Sequence, residues 1–279
     1  MRFPIISLTT DFGLRDPYVA EMKVVIMRIS PGAEIIDISH EIDKYDVTMA
    51  AFTLACAAPF FPRGTIHVAV VDPSVGIRRR PMIIQTSNGY YVGPDNGILT
   101  LATRNDGGVR NVHHIANSRF MLPKVSNTFH GRDIFAPAAA HLANGTPLTE
   151  FGPKIGEICD LTLALVTKKP EALVCEVIHI DDFGNIITNL RSKDIKITRK
   201  KPTINIEVKG THLSLKLCET YTEVPPHKPL ALFGSHSFLE ISMNQDSAAR
   251  TYKVKTGDRI GIQLDKKNNR LVKGEKKRV

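Results

Sequence analysis

Between Ile5 and Asn144 the chain alternates short apolar runs with segments of helical period. After Pro170 the helical period disappears and only short runs remain. Ile5 to Thr9, Glu34 to Ile38 and Ile66 to Val71 read as strands. Tyr18 to Ser30 puts Val19, Met22, Ile26 and Ile29 near helical spacing, and Val47 to Ala58 is an Ala-rich helix. Met82 to Thr86 and Tyr90 to Val92 flank Asn88-Gly89, a hairpin signal, and Gly97 to Arg104 and the helix after His130 follow. Such alternation specifies βαβ units on a largely parallel sheet. Beyond Lys168-Lys-Pro170 come Leu173 to Ile180, Ile186 to Leu190, Ile204 to Val208, Leu213 to Leu217, Leu230 to Phe233, Leu239 to Ser242 and Arg259 to Leu264, punctuated by Gly, Pro and Asn. Short strands at this spacing make a compact barrel or sandwich. The expectation is an α/β protein with domains at 1–167 and 168–265 and a tail at 266–279.

The length of 279 residues agrees, since one core usually stops growing near this size. No stretch approaches the ~20 apolar residues that span a bilayer. Met-Arg-Phe-Pro-Ile-Ile-Ser runs into a strand without a cleavage signal, so a soluble cytoplasmic protein is expected. The net charge of +9 suggests nucleic acid, but residues 266–279 hold seven basic residues against Glu275, a net +6. Basicity confined to a tail, with no Trp and no aromatic-plus-basic strand, argues against a nucleic-acid partner. Cys56, Cys159, Cys175 and Cys218 are widely spaced and read as reduced core residues. His113-His114 cannot turn both rings to one face of a strand and no HExxH occurs, so no metal is expected. No GxGxxG accompanies the first strand, so a pyrophosphate cofactor is not expected, and no GxSxG elbow marks a serine hydrolase.

Several side chains remain that carry chemistry. His130 stands at the start of a small-residue helix closed by Gly145, either as an active-site imidazole biased toward its neutral form or as a helix cap. Asp11 follows the first strand, where a carboxylate accepts both hydroxyls of a ribose or forms an Asx-turn; Asp16-Pro17 suffices as a cap for the helix near Tyr18. Asp72 emerges from an apolar strand and is followed by Arg78-Arg-Arg80, of which one arginine folded onto Asp72 keeps it ionised while at least one other is solvated. Asp181, Phe183 and Asn185 share the first turn of the second domain, with a ring for stacking and an amide for an adenine edge. Phe233 to Asn244 brings hydroxyls, the Glu240 carboxylate and backbone amides, or is an ordinary hairpin.

Thr10-Asp-Phe-Gly13 with Asp16-Pro-Tyr-Val19, Val70-Val-Asp-Pro-Ser-Val-Gly76 with Arg79, and Gly93-Pro-Asp-Asn-Gly97 occur in order. They are followed by Thr128-Phe-His-Gly-Arg-Asp133, Ile180-Asp-Asp-Phe-Gly-Asn185 with Thr188-Asn189, and Ser235 to Asn244. Together these segments resemble the S-adenosylmethionine (SAM) hydroxide adenosyltransferases, relatives of fluorinases and chlorinases. The resemblance implies an N-terminal α/β domain, a C-terminal β-barrel, and a homotrimer that binds ligand between the first domain of one subunit and the barrel of the next. The hydrolase branch is marked by an Asp-Arg-His set that maps onto Asp72, Arg79 and His130. Halogenating relatives carry hydroxyl side chains where Asp72 or Gly131 stand. Ser74 and Ile77 replace a common Gly and Thr, and His236 replaces a small residue or Arg.

The implied reaction is attack of water or hydroxide on ribose C5′ of SAM, releasing L-methionine and adenosine without a cofactor. Arg79 and His130 would hold the nucleophile, with Asp72 positioning Arg79. Asp11 would bind the ribose diol, Phe183 and Asn185 the adenine, and Asp181, Ser235 and His236 the methionine. Glu240 and the backbone near Met243 would complete the adenosine pocket. A chlorinase-like halogenase and a non-catalytic SAM- or adenosine-binding protein are the alternatives. Intact Asp72, Arg79 and His130 weigh against a mere binder, and a carboxylate beside the nucleophile repels a halide.

Overall fold

The computed structural model describes residues 3–77, 79–170, 172–197, 203–263 and 269–271. Two compact units meet in sequence between Thr162 and Leu163. Apart from residues 269–271, the basic tail lies outside the described residues, as does Arg78.

The first unit contains β1 (Ile5–Thr10), α1 (Tyr18–Ile29), β2 (Glu34–Ser39), α2 (Val47–Ala57), β3 (Ile66–Val70), β4 (Pro81–Gln85), β5 (Tyr90–Pro94), α3 (Thr100–Asn105), β6 (Asn111–His114), α4 (Ala136–Ala143) and α5 (Leu148–Phe151). The strand order is β2-β1-β3-β5-β4-β6. The pairings from β2 to β5 are parallel, and β4 runs antiparallel to both of its neighbours. Successive strand residues point to opposite faces, so one apolar strand feeds two cores. Val68 and Val70 join Met22, Ile26 and the alanines of α4 on one side, while Ala69 and Val71 join Ala50, Leu54 and Leu99 on the other. Ala138, Ala139 and Ala140 are fully buried. Their small side chains let α4 lie close to the sheet and α1, and a bulkier residue there would cost about 1–3 kcal/mol in overpacking.

The second unit contains β7 (Thr167–Lys168), β8 (Ala172–Ile180), β9 (Ile186–Arg191), β10 (Ile195–Ile197), β11 (Thr203–Val208), β12 (Thr211–Cys218), β13 (Pro229–Phe233), β14 (Phe238–Met243), α6 (Ala248–Tyr252), β15 (Arg259–Gln263) and β16 (Asn269–Leu271). The order β15-β11-β12-β13-β14-β9-β8, with β8 paired back to β15, closes a seven-stranded barrel. Closure removes the unpaired edges that an open sheet would expose. Strand β11 shows the pattern that makes this work: Ile204, Ile206 and Val208 are buried while the residues between them are exposed.

One composition-based expectation is corrected. Cys175 and Cys218 are buried, but Cys56 is only half-buried and Cys159 is exposed. Cys159 lies outside regular structure, where its N–H donates to Asp95 Oδ1 at 2.7 Å. Among the described residues, no helix is long and apolar enough to cross a membrane.

Candidate active site

A cavity of about 310 Å³ opens beyond the carboxyl ends of β1 and β3, where ligands bind in open α/β sheets. Asp11, Asp72, His130 and Tyr45 line it. Asp72 follows fully buried Val71, whose carbonyl is fixed by Asn96 Nδ2 at 2.9 Å. The turn beyond Asp72 is closed by bonds from Val75 N–H to the Asp72 carbonyl and from Ile77 N–H to the Ser74 carbonyl. Gly76 has φ +80°, and a Cβ there would stand 2.7 Å from the Asn127 carbonyl oxygen. Glycine therefore lets the Asp72 loop press against the segment leading to His130. The Ser74 and Ile77 departures are accommodated: Ser74 Oγ stands 3.4 Å from Asp72 Oδ1, and Ile77 is exposed.

Arg79 folds back onto Asp72, as the reading of the arginine run required. Its Nε and Nη2 lie 2.7 and 2.5 Å from Asp72 Oδ2, and the two side chains are only 7% and 5% exposed. Its Nη2 also donates to His130 Nδ1 at 2.7 Å, and the guanidinium stacks on Phe135 at 5.2 Å. Arginine has no acceptor, so Nδ1 carries the lone pair and the imidazole proton sits on Nε2. Arg79 is not part of the cavity lining; it stands behind Asp72 and His130 and joins them. Its Nε and Nη2 are thus engaged by Asp72 and His130. Arg80 is solvated, its side chain 45% exposed and paired with Asp95.

His130 is not a cap. Its side chain makes no capping bond, and the helix expected directly after it begins instead with a π-turn, Gly131–Phe135. The wide turn is held by Asp133, which accepts Ser126 N–H at 2.7 Å and Arg132 Nε at 2.7 Å. Burial alone would raise the Asp133 pKa, but the bonds from Arg132 and Ser126 outweigh it and leave it lowered. The His130 pKa is lowered, first by desolvation and then by the Arg79 charge, against weaker opposite effects of Asp72, Asp133 and the Ser126 carbonyl. The imidazole is therefore neutral at neutral pH.

Asp11 is buried and forms no Asx-turn with its own neighbours; its Oδ2 accepts the distant Tyr45 N–H at 3.0 Å, while Lys44 Nζ donates to the Asp11 carbonyl. Tyr45 holds φ +69°, an uncommon conformation for an aromatic residue. The sequence reading missed Lys44 and Tyr45 because their approach depends on packing between two loops. It also missed the ring cluster of Phe12, Tyr18 and Phe129, with centroids 5.2–6.0 Å apart, although all three lie inside quoted motifs.

The barrel holds a second cluster. Asp181 accepts Asn185 N–H and Asn185 Nδ2, each at 2.8 Å, so part of the amide expected to read an adenine is committed to Asp181. Phe183 is 82% exposed at the same turn. Glu240 Oε2 accepts Tyr221 OH at 3.1 Å, a partner the sequence reading did not find. Burial raises the Glu240 pKa, reinforced by the Asp181 charge and opposed by the Tyr221 bond. Burial and the same two carboxylates push the Tyr221 phenol up to about 12. Ser235 and His236 are exposed in the turn between β13 and β14. The Met243 side chain packs into the barrel core, which leaves its backbone as the part available to a ligand.

Residues 6–152 match the family model for the SAM hydroxide adenosyltransferase N-terminal domain, and residues 175–261 match that for the C-terminal domain. The chain is 39% identical over 264 residues to (R)-S-adenosyl-L-methionine hydrolase of Thermus thermophilus, covering 89% of this chain and 95% of the relative. It is 35% identical over 261 residues to the Salinispora arenicola protein of the same name, covering 93% and 97%. Fluorinase of Actinoplanes sp. is 25% identical over 287 residues, covering 91% and 95%. The crystal structure of an uncharacterized conserved protein from Thermotoga maritima superposes with a TM-score of 0.87 at 35% identity, covering 93% of this chain and all of the other. Matched in both of its units, the chain belongs to the SAM hydroxide adenosyltransferase family.

Proposed function

We propose that the protein hydrolyses S-adenosyl-L-methionine to adenosine and L-methionine, with water or hydroxide attacking ribose C5′ in line with the sulfonium. The observation that carries this reading is the Arg79 bridge, which sets a buried carboxylate and a neutral imidazole side by side at the cavity. The C5′–O bond forms as the C5′–S bond breaks, and the bond pair leaves on sulfur as a neutral thioether, so no acid is required at the leaving group; an attacking water passes its proton to the Asp72 carboxylate and on to solvent, whereas hydroxide has none to lose. The protein's task is to aim and partly desolvate an oxygen nucleophile, which alignment can favour by up to ~7–11 kcal/mol. In this reading Asp72 and His130 hold the oxygen, and Arg79 keeps both groups in place. The Asp72 carboxylate can accept the O–H of a water or hydroxide, whereas a halide has no proton to offer it.

Asp11 would receive the ribose hydroxyls. Phe183 and Asn185 would take the adenine, Asp181, Ser235 and His236 the methionine group, with Glu240 and the Met243 backbone closing the adenosine pocket. The family resemblance further suggests a cytoplasmic homotrimer whose sites each use the first domain of one subunit and the barrel of another. Incubation with SAM, with and without chloride, followed by chromatography tests the reaction. Adenosine and methionine in equal amounts are expected under both conditions. A chlorinated nucleoside would favour the halogenase, and unconsumed SAM a binding protein.

A further inference from the structure

A polar chain that runs from the surface into the core lies behind the Asp11 loop and outside the cavity lining. Thr10 ends β1 and His40 follows β2, and they are 0% and 3% exposed. Thr10 Oγ1 stands 2.8 Å from His40 Nδ1 and accepts Phe12 N–H at 3.2 Å. His40 Nε2 lies 3.1 Å from Asp37 Oδ1, off the line of a straight hydrogen bond, and Lys23 Nζ holds Asp37 Oδ2 at 2.5 Å. A carboxylate facing Nε2 places the imidazole proton there, which leaves Nδ1 to accept the Thr10 hydroxyl proton. The hydroxyl oxygen is then the acceptor that Phe12 N–H requires, so every link runs in one sense. The His40 carbonyl also accepts Gly13 N–H at 2.7 Å. Residues on both sides of Asp11 are thus tied to His40. The segment leaving His40 returns to Asp11 through Lys44 Nζ and Tyr45 N–H.

We infer that Thr10 and His40 are positioning residues: the Asp37–His40–Thr10 chain, buried at His40 and Thr10 and anchored at the exposed Asp37, sets the angle at which the Asp11 carboxylate meets a sugar, and so sets selectivity for a cis-diol ribose. The inference rests on the ribose-binding role proposed for Asp11. Tyr45 N–H already engages one carboxylate oxygen, so the orientation left for two hydroxyls is narrow. A loop shift well under 1 Å is enough to lose bidentate geometry. Packing alone does not account for polar side chains at Thr10 and His40, because each buried polar group must be matched by its partner.

The experiment is calorimetric titration with adenosine and with 2′,3′-dideoxyadenosine, reading the ratio of the two affinities. Wild type is expected to favour adenosine at least tenfold, and Asp11→Ala to lose that preference. Thr10→Val removes the hydroxyl at nearly constant shape. It should lower the ratio about fivefold while leaving dideoxyadenosine affinity and saturated SAM turnover within about twofold. Thr10→Ser should restore the ratio. If Thr10→Val is poorly folded, as its dideoxyadenosine affinity would reveal, His40→Asn supplies the same reading. It keeps an acceptor for the Thr10 hydroxyl but loses reach to Asp37, and a reduced ratio is expected. An unchanged ratio in Thr10→Val or His40→Asn, with the preference lost in Asp11→Ala, overturns this inference and leaves the Asp11 assignment standing. A preference retained in Asp11→Ala removes the assignment and the inference together.

Discussion

The Arg79 guanidinium donates to His130 Nδ1 at 2.7 Å, across 51 residues of chain. The same group pairs with Asp72, so one side chain fixes the position of a carboxylate and the tautomer of an imidazole. Removing it leaves Asp72 buried without its cation, a loss of about 3–5 kcal/mol for a broken buried pair.

Arg79→Lys should therefore lower both stability and turnover, since an ammonium cannot reproduce the fork that reaches both partners. His130→Ala should lower kcat by about 10²–10⁴-fold while adenosine affinity stays within about threefold. Stopped-time assays with calorimetric titration separate the two effects. Near-wild-type turnover in His130→Ala would exclude the imidazole from the reaction.

Acid stability should depend on a second histidine, remote from this chemistry. His67 is buried, hydrogen-bonded to Ser7 Oγ at 2.7 Å and stacked on Tyr91, and burial lowers its pKa to about 4 against a weaker effect of Asp106. The unfolded chain takes up this proton near pH 6.5, whereas the native state resists it to about pH 4. Protons thus favour unfolding within that window: the contribution is complete above pH 6.5 and declines as pH falls, by about 3 kcal/mol in all. Urea midpoints at pH 7 and pH 4.5 should fall less in His67→Gln than in wild type. Equal slopes would mean that His67 is protonated in the native protein.

Gly131 tests the choice of nucleophile. A Cβ there would meet Met22 Sδ and a Phe129 ring carbon at 3.2 Å and a Phe12 ring carbon at 3.4 Å. Gly131→Ser should lower stability by about 1 kcal/mol, because the thioether can yield. It should also slow hydrolysis without producing a chlorinated nucleoside, since Asp72 still repels the halide. Chloride-dependent product from Gly131→Ser alone would show that the carboxylate is not the barrier.

Mixing His130→Ala with Asn185→Ala tests assembly. If sites are shared between subunits, exchange will pair some intact first domains with intact barrels, and activity should return to a level well below wild type. Mixed trimers without any recovery would place each site within one chain.

Local pattern determined much of this protein. A period of two or 3.6 is a property of neighbouring residues, so the runs at Ile5, Glu34 and Ile66 and the barrel strands from Leu173 to Arg259 were legible directly. The acids at strand ends were legible too, because a carboxylate after an apolar run has few places to go. Asn111-Val-His-His114 carries no such pattern and becomes β6 only by pairing with β4. The π-turn at Gly131 depends on Asp133 being held by Ser126 and Arg132. Tertiary structure alone joined Arg79 to His130 and brought His40 and Tyr45 to the Asp11 loop. Each of these contacts joins residues 30 or more apart, and their energies depend on desolvation and geometry that exist only after the sheet and its loops have packed.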